Sequence, residues 1–291
     1  MKDLNPNKAP GPDGISPRLL KDLSVELAPA FTVLYRSSLT TGIVPSDWRS
    51  ANVSPVFKKG ERYLPENYRP ISLTSIPCKL LEHILVSHIL TFTEENNILC
   101  PAQHGFRRNR SCESQLIGLI DELSDDLENG KQVDILVMDF AKAFDRVCHS
   151  LLIHKLSHYG ITGQVNTWIK NFLADRRQVV VVDGDTSGSV AVESGVPQGS
   201  VLGPCLFLLY INDLPENLTS TARLFADDTL CHNTVSSPKD QQDLQQDLNQ
   251  LAEWEQKWQM TFHPNKCESL QLPKKQNRLP ASYTLLWSHS E

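Results

Sequence analysis

Two neighbouring aspartates between two strand-like runs constrain this chain more than any other feature. Ala222–Phe225 and Thr229–Cys231 have strand character, and Asp227 and Asp228 lie between them. That order predicts a hairpin with both carboxylates at its tip. There both can reach one cation site, at a cost in mutual repulsion that a bound cation offsets. The pair by itself need be no more than a turn, since Asp is a favoured turn residue. A second segment changes that balance. Val133–Asp139 (VDILVMD) reads as an apolar, β-branched strand ending in a carboxylate, and a lone carboxylate at the end of a buried strand needs a partner. Strands that deliver Asp139, Asp227 and Asp228 to one sheet edge can hold two divalent cations, the arrangement used for in-line displacement at phosphorus. Hard oxygen donors suit Mg²⁺.

The remaining pattern alternates short strands with helices, which predicts a mixed α and β class. Ser16-Pro17 marks a helix start, and Leu19, Leu20, Leu23, Leu27, Phe31 and Leu34 continue at helical spacing to about Thr41. Ala51–Phe57 alternates like a strand. Helices are expected from Cys78 to about Thr93, Ser111 to about Glu128 and Ser200 to Leu214. Arg177–Asp183 and Ser189–Glu193 bracket Gly184 and Gly188 as a hairpin. Leu244, Leu248, Leu251 and Trp258 mark an amphipathic helix of about 20 residues.

With 291 residues, 40% hydrophobic and 21% charged, the chain is long enough for one large globular domain or two closely joined ones. The net charge of -6 argues at first sight against a nucleic-acid partner, but the distribution is uneven. Residues 1–111 carry 14 Lys and Arg against 10 Asp and Glu, whereas residues 112–291 carry 14 against 24. Cations in one part and carboxylates in another suit a polyanion-processing enzyme, although such asymmetry is also common without meaning. Seven scattered cysteines with no C-x-x-C pair fit a reducing intracellular setting without a disulfide framework. The longest apolar run, Val201–Ile211, is interrupted by Gly203 and Pro204 and falls short of the roughly 20 residues that cross a bilayer. No membrane role is expected.

Asp139-Phe140-Ala141-Lys142-Ala143-Phe144-Asp145, followed by Phe225-Ala226-Asp227-Asp228, resembles the reverse transcriptases. The resemblance is nearest to those of non-LTR retrotransposons of the jockey type. Further blocks come in the family's order: Lys8-Ala9-Pro10-Gly11-Pro12-Asp13-Gly14, Pro55–Gly60, Asn67–Leu73, Gln103-His104-Gly105-Phe106-Arg107, Gly195–Ser200 and Pro264-Asn265-Lys266-Cys267. The resemblance runs from about residue 4 to about residue 275. His263 stands where the family usually has Asn.

The resemblance implies an α+β right-hand polymerase fold, with fingers and a palm whose antiparallel sheet is backed by helices. It implies an N-terminal extension over 1–50, fingers over about 51–132, a palm over about 133–275 and a tail over 276–291. The thumb is expected to be largely absent. The implied activity is RNA-directed DNA polymerisation, a nucleotidyl transfer in which deoxynucleotides are added to a primer 3'-end by a two-metal mechanism. Implied partners are an RNA template, a DNA primer and dNTPs. Two Mg²⁺ ions, with Mn²⁺ as a substitute, are the implied cofactors, held by Asp139, the Phe140 carbonyl, Asp227 and Asp228. Nuclear access is expected if the chain belongs to an active element.

Phe144 matches the aromatic that lies under the incoming sugar and blocks a 2'-hydroxyl, which disfavours an RNA-templated RNA polymerase. Its bland alternative is core packing. Gln198 and Gly199 would face the incoming nucleotide, and Lys58 or Lys59 with Arg69 its triphosphate. Arg107, Arg108 and Arg110 would contact template backbone, or else form an ordinary solvated loop. Lys266 is a candidate general acid for the leaving pyrophosphate. The alternative to an active polymerase is a truncated remnant that retains only nucleic-acid binding.

Overall fold

The computed structural model describes residues 1–272, 279, 280 and 282–284. The tail expected over 276–291 therefore lies mostly outside the described residues. The chain opens with helices α1 (Pro17–Asp22) and α2 (Ser24–Thr41), strands β1 (Ser50–Phe57) and β2 (Tyr68–Thr74), and helices α3 (Ile76–Glu95) and α4 (Cys112–Glu128). Strand β3 (Gln132–Met138), helices α5 (His149–His158) and α6 (Gly163–Leu173), and strands β4 (Arg176–Val182), β5 (Asp185–Thr186) and β6 (Val190–Val192) follow. Helix α7 (Leu202–Ile211), strands β7 (Thr221–Phe225) and β8 (Asp228–Val235), helix α8 (Pro238–Trp258) and strand β9 (Glu268–Leu272) complete the order. No described helix is long and apolar enough to cross a membrane.

The helix starts follow local chemistry. Ser16 accepts from Arg18 N, and Ser75 accepts from Cys78 N at 3.2 Å. Helix α3 begins two residues before the expected Cys78, because Pro77 falls in its first turn, where no intrahelical N–H partner is lost. Ser111 and Ser114 cap α4 reciprocally, as Ser237 and Asp240 do for α8. The helix expected over Pro17–Thr41 is two helices, because Leu23 leaves helical geometry at φ -100° and ψ 27° and its N–H serves both Leu19 O and Lys21 O.

The chain divides into two compact units, one comprising Met1–Ile98 with Val147–Leu206 and the other Leu99–Arg146 with Phe207–Glu291. The first unit holds a five-stranded sheet in the order β2-β1-β4-β5, with β6 also paired to β4. Strands β1 and β2 are antiparallel, whereas β1 and β4 are parallel, a pairing that only a long connection can make. Its interior includes Trp168, whose Nε1 donates to Ser38 Oγ at 2.9 Å, and Tyr35, whose hydroxyl donates to Pro77 O at 2.8 Å. Arg176 is buried over the Phe172 ring and donates to the carbonyls of Trp48 and Phe172. Burial lowers its pKa, while Glu82 and Cys78 act to raise it.

The second unit holds a four-stranded antiparallel sheet in the order β7-β8-β3-β9. Helix α8 packs on β8 and buries Leu244, Leu248 and Leu251, each at most 1% exposed. Its buried Asp247 faces the segment that enters β7. One Asp247 oxygen accepts from Thr219 N at 2.9 Å and the other from Ser220 N at 2.8 Å. Removing that carboxylate leaves two amides without their acceptors. Asp247→Ala should lower unfolding stability by about 2–4 kcal/mol and Asp247→Asn by less. Urea denaturation followed by fluorescence is a suitable readout, since Trp254 and Trp258 lie on the same helix. A loss below about 0.5 kcal/mol for Asp247→Ala would contradict this account.

Candidate active site

The candidate site is built on the end of the β3–β8 pair. Antiparallel register carries Met138 opposite Thr229, and one step further the two chains reach Asp139 and Asp228. Strands β7 and β8 close on the pair Phe225↔Asp228, so Ala226 and Asp227 form a two-residue turn. The hairpin expected from the paired aspartates is present, and it lies beside the strand that ends at Asp139. Asp227 is half-buried and Asp228 exposed.

Asp139 is held from behind. His263 N donates to Asp139 O and Ala141 N donates to Thr261 O, each at 2.7 Å, around a bridge between Phe140 and Phe262. The bridge's hydrogen bonds do not use the Phe140 carbonyl. The Phe140 and Phe262 rings stack at 4.2 Å, and Trp254 lies 5.9 Å from Phe140. Lys266 Nζ hydrogen-bonds and ion-pairs with Asp139 Oδ2. A cation therefore already meets this carboxylate.

That stand-in, the hard-oxygen donors and the shared sheet edge all fit a divalent cation in kind. As the side chains lie, no group of three or more His, Cys, Asp and Glu among the described residues gathers closely enough to hold a metal ion. The register supplies the donors, and their side chains would have to turn inward to share one ion.

Phe144 sits half-buried in an aromatic stack. Its ring lies 4.6 Å from Phe207 at an interplanar angle of 19°, and edge-on to Phe106 at 6.4 Å. The stack on Phe207 fixes the plane of the ring. In the arginine loop, Arg107 donates to Cys100 O and Gln103 O, and Arg110 to Pro101 O and Gln103 O. These two guanidiniums brace the loop itself, and Arg108 is exposed.

Asp139, Phe140, Phe144, Asp227, Asp228, Lys266 and the three arginines belong to the second unit. Lys58, Lys59, Arg69, Gln198 and Gly199 belong to the first. There, Val56 pairs with Arg69 and Phe57 with Tyr68, so Lys58 and Lys59 follow directly beyond the paired end of the β1–β2 hairpin. All three cations are exposed. The Gly195–Ser200 loop packs on β2 nearby in the same unit, with Ser72 N donating to Gln198 O at 2.7 Å. Gly199 has φ 115°, and a Cβ on it would come 2.4 Å from Ser72 O, so only glycine fits. Ser200 Oγ accepts from Gly203 N at 2.9 Å at the start of α7.

Residues 56–280 match the family described as reverse transcriptase (RNA-dependent DNA polymerase). The chain belongs to the reverse transcriptase family. It is 30% identical over 282 residues to a probable RNA-directed DNA polymerase from transposon BS of Drosophila melanogaster, covering 91% of this chain and 30% of that protein. It is also 30% identical over 280 residues to the RNA-directed DNA polymerase from mobile element jockey of Drosophila funebris, covering 93% and 30%. The chain thus spans about 30% of the length of these relatives. Apo telomerase from Candida tropicalis, truncated from its C-terminal domain, matches with a TM-score of 0.56 at 10% identity, over 88% of this chain and 56% of that one. The fold is α+β and of the right-hand polymerase type, as the ordered blocks implied.

Three buried polar residues gave no sign of their partners in the sequence, although Gln103 opens one of the ordered blocks. Glu82 of α3 is fully buried, and its Oε2 accepts from Val201 N and Leu202 N at 2.7 and 2.9 Å, capping α7 in this family's loop–helix unit. Gln103 reaches the turn that carries Asp227. Glu255 of α8 accepts from Phe262 N behind Asp139. For Glu82 and Glu255 the signal was only a charged residue at a helical position, and for Gln103 only its place at the head of its block.

Burial raises the Glu255 carboxyl to about 7, against the Phe262 amide and Arg146, which both favour the anion. A carboxyl that binds its proton more tightly folded than unfolded stabilises the fold below its ordinary pKa of 4.5, and that contribution is lost as pH rises through about 7. Stability should therefore decline between about pH 5 and about 7. Glu255→Gln keeps an acceptor for Phe262 N and should flatten that decline. Thermal midpoints across this range decide it, and parallel profiles for the two proteins would refute the assignment.

Proposed function

We propose that this domain is the catalytic part of an RNA-directed DNA polymerase, adding deoxynucleotides to a primer 3'-end on an RNA template. The single observation that carries this reading is Asp139 at the end of β3, beside Asp228 across the strand pair and Asp227 on the adjoining turn. Family membership and the likeness to RNA-directed DNA polymerases of mobile elements support it.

Asp139, Asp227, Asp228 and the Phe140 carbonyl are the proposed holders of two divalent cations. Mg²⁺ is favoured by the oxygen donors, with Mn²⁺ as a substitute. When bound, such ions activate a 3'-hydroxyl and neutralise charge on the leaving pyrophosphate. The protein's own groups do the rest. Lys266, already paired with Asp139, is the proposed proton donor from Nζ to the leaving pyrophosphate oxygen. Lys58 or Lys59 and Arg69 are the proposed cations for the triphosphate, with Gln198 and Gly199 facing the nucleotide. Arg108 is the best placed of the three loop arginines for template phosphate, because Arg107 and Arg110 are engaged with loop carbonyls. Residues of about 51–132 are proposed as fingers and about 133–275 as palm.

Primer extension on poly(rA)/oligo(dT) with Mg²⁺ and dTTP tests the reading. The native chain should incorporate dTMP, and Asp227→Ala with Asp228→Ala should reduce incorporation to background. Activity surviving in that variant would remove the carboxylates from the mechanism. No incorporation by the native chain would favour a remnant that only binds nucleic acid. Phe144→Ala should lower discrimination against ribonucleotides by about tenfold or more, read as the ratio of kcat/KM values for dTTP and UTP. An unchanged ratio would return Phe144 to packing alone.

A further inference from the structure

The turn that carries Asp227 is strained and would not hold its shape unaided. A two-residue hairpin link needs a positive φ at its first position, where glycine, asparagine or aspartate are the usual residues. Here that residue is Ala226, at φ 54° and 6% exposed. An alanine in the left-handed region persists only where its surroundings over-determine it.

Gln103 supplies that determination. Its side chain is 2% exposed, and one amide meets both backbone groups of Ala226. Oε1 accepts from Ala226 N at 2.9 Å, and Nε2 donates to Ala226 O at 3.3 Å. Oε1 also accepts from Gly105 N at 2.7 Å, so the oxygen faces two donors and the nitrogen a carbonyl, as amide chemistry requires. Residues 102–104 deliver this side chain by pairing along the edge of β7. His104 N donates to Leu224 O at 2.8 Å and Leu224 N to Ala102 O at 2.9 Å. The approach leaves no space for another side chain, since a Cβ on Gly105 would stand 2.3 Å from Ala226 N. Gln103 and Gly105 therefore act together, one gripping the turn and the other letting the backbone come close enough to be gripped.

We propose that Gln103 is a positioning residue of the catalytic centre. Its amide locks the left-handed Ala226 and so sets where Asp227 and Asp228 stand relative to Asp139. Its kinetic consequence rests on the polymerase reading above, while its structural consequence does not. A carboxylate displaced by about 1 Å can cost about a hundredfold in rate without loss of binding.

The test compares the native chain with Gln103→Met, which keeps length and loses all three hydrogen bonds, and with Gln103→Met combined with Ala226→Gly. Amide exchange is followed in peptides covering the turn, with β3 and α8 as internal controls, and primer extension is measured alongside. In Gln103→Met, exchange at the turn should quicken about tenfold or more while the controls keep native protection. Its kcat should fall about ten- to a hundredfold with KM for primer–template unchanged. Glycine at 226 adopts positive φ without strain, so the double variant should recover part of that kcat, which loss of mere packing would not allow. Should Gln103→Met unfold the unit, Gln103→Asn, one methylene too short to reach both groups, carries the same comparison.

Native exchange at the turn and native kcat in the variant would overturn the proposal, as would a kcat loss that glycine at 226 leaves untouched. If the native chain incorporates no nucleotide, the polymerase reading fails, and the exchange comparison alone decides whether Gln103 locks the turn.

Discussion

Like charges can share one sheet edge only where the backbone is held against their repulsion, and the pairing of β3 with β8 provides that hold. The ladder runs from Gln132↔Val235 to Met138↔Thr229, with β9 on the far side of β3. Val133, Leu136 and Met138 on β3 are buried, as are Thr229 and Cys231 on β8. Side chains alternate between faces along a strand and β3 is buried on both, so a slip of one residue would move Asp228 away from Asp139 and change the partner of every buried side chain. The placement of the carboxylates is therefore secured by burial along the ladder, beginning at Met138 and Thr229 one residue from the charges.

Helix α8 extends the same logic beyond the sheet. Its C-terminal end is fixed by Tyr210, whose hydroxyl donates to Trp258 O, and by Trp254 Nε1 donating to Asp213 at 2.9 Å. Gln259 then takes φ 54°, and the chain turns back so that residues 261–263 pair with 139–141. The stacked Phe140 and Phe262 rings seal that return. Apolar and aromatic contacts thus determine where one acidic side chain emerges. Phe144, stacked on Phe207, is positioned by the same means.

In the first unit, a buried carboxylate does comparable work. Glu82 accepts from the two amides that open α7, where the positive end of the helix dipole favours an anion. The loop before it approaches Ser72 through Gly199 at a distance no side chain would permit. Two separate family blocks, Asn67–Leu73 and Gly195–Ser200, meet across that contact, which accounts physically for the glycine in one of them.

Much of this was legible in the residues. The hairpin around Asp227 and Asp228, the strand ending at Asp139, the helices at Ser111 and the Leu244–Trp258 stripe all carry local signals of period, cap or turn. Helix α6 carried such a signal too, in Trp168, Ile169, Phe172 and Leu173, and went unread. Strand β9 had none: Glu268–Leu272 is mostly exposed and is a strand because the free edge of β3 lies beside it. Gln103 and Ala226 lie 123 residues apart, and an uncharged amide leaves no periodic trace of so distant a partner. The loop arginines read as free cations, yet Arg107 and Arg110 are engaged with carbonyls that only the folded loop brings near. Residue type and short-range spacing, which govern local backbone preference, determined the family, the element types and the identity of the acidic groups. Register, burial and the partners of buried polar atoms were decided by tertiary structure alone, because they depend on distances between segments that local preference does not encode.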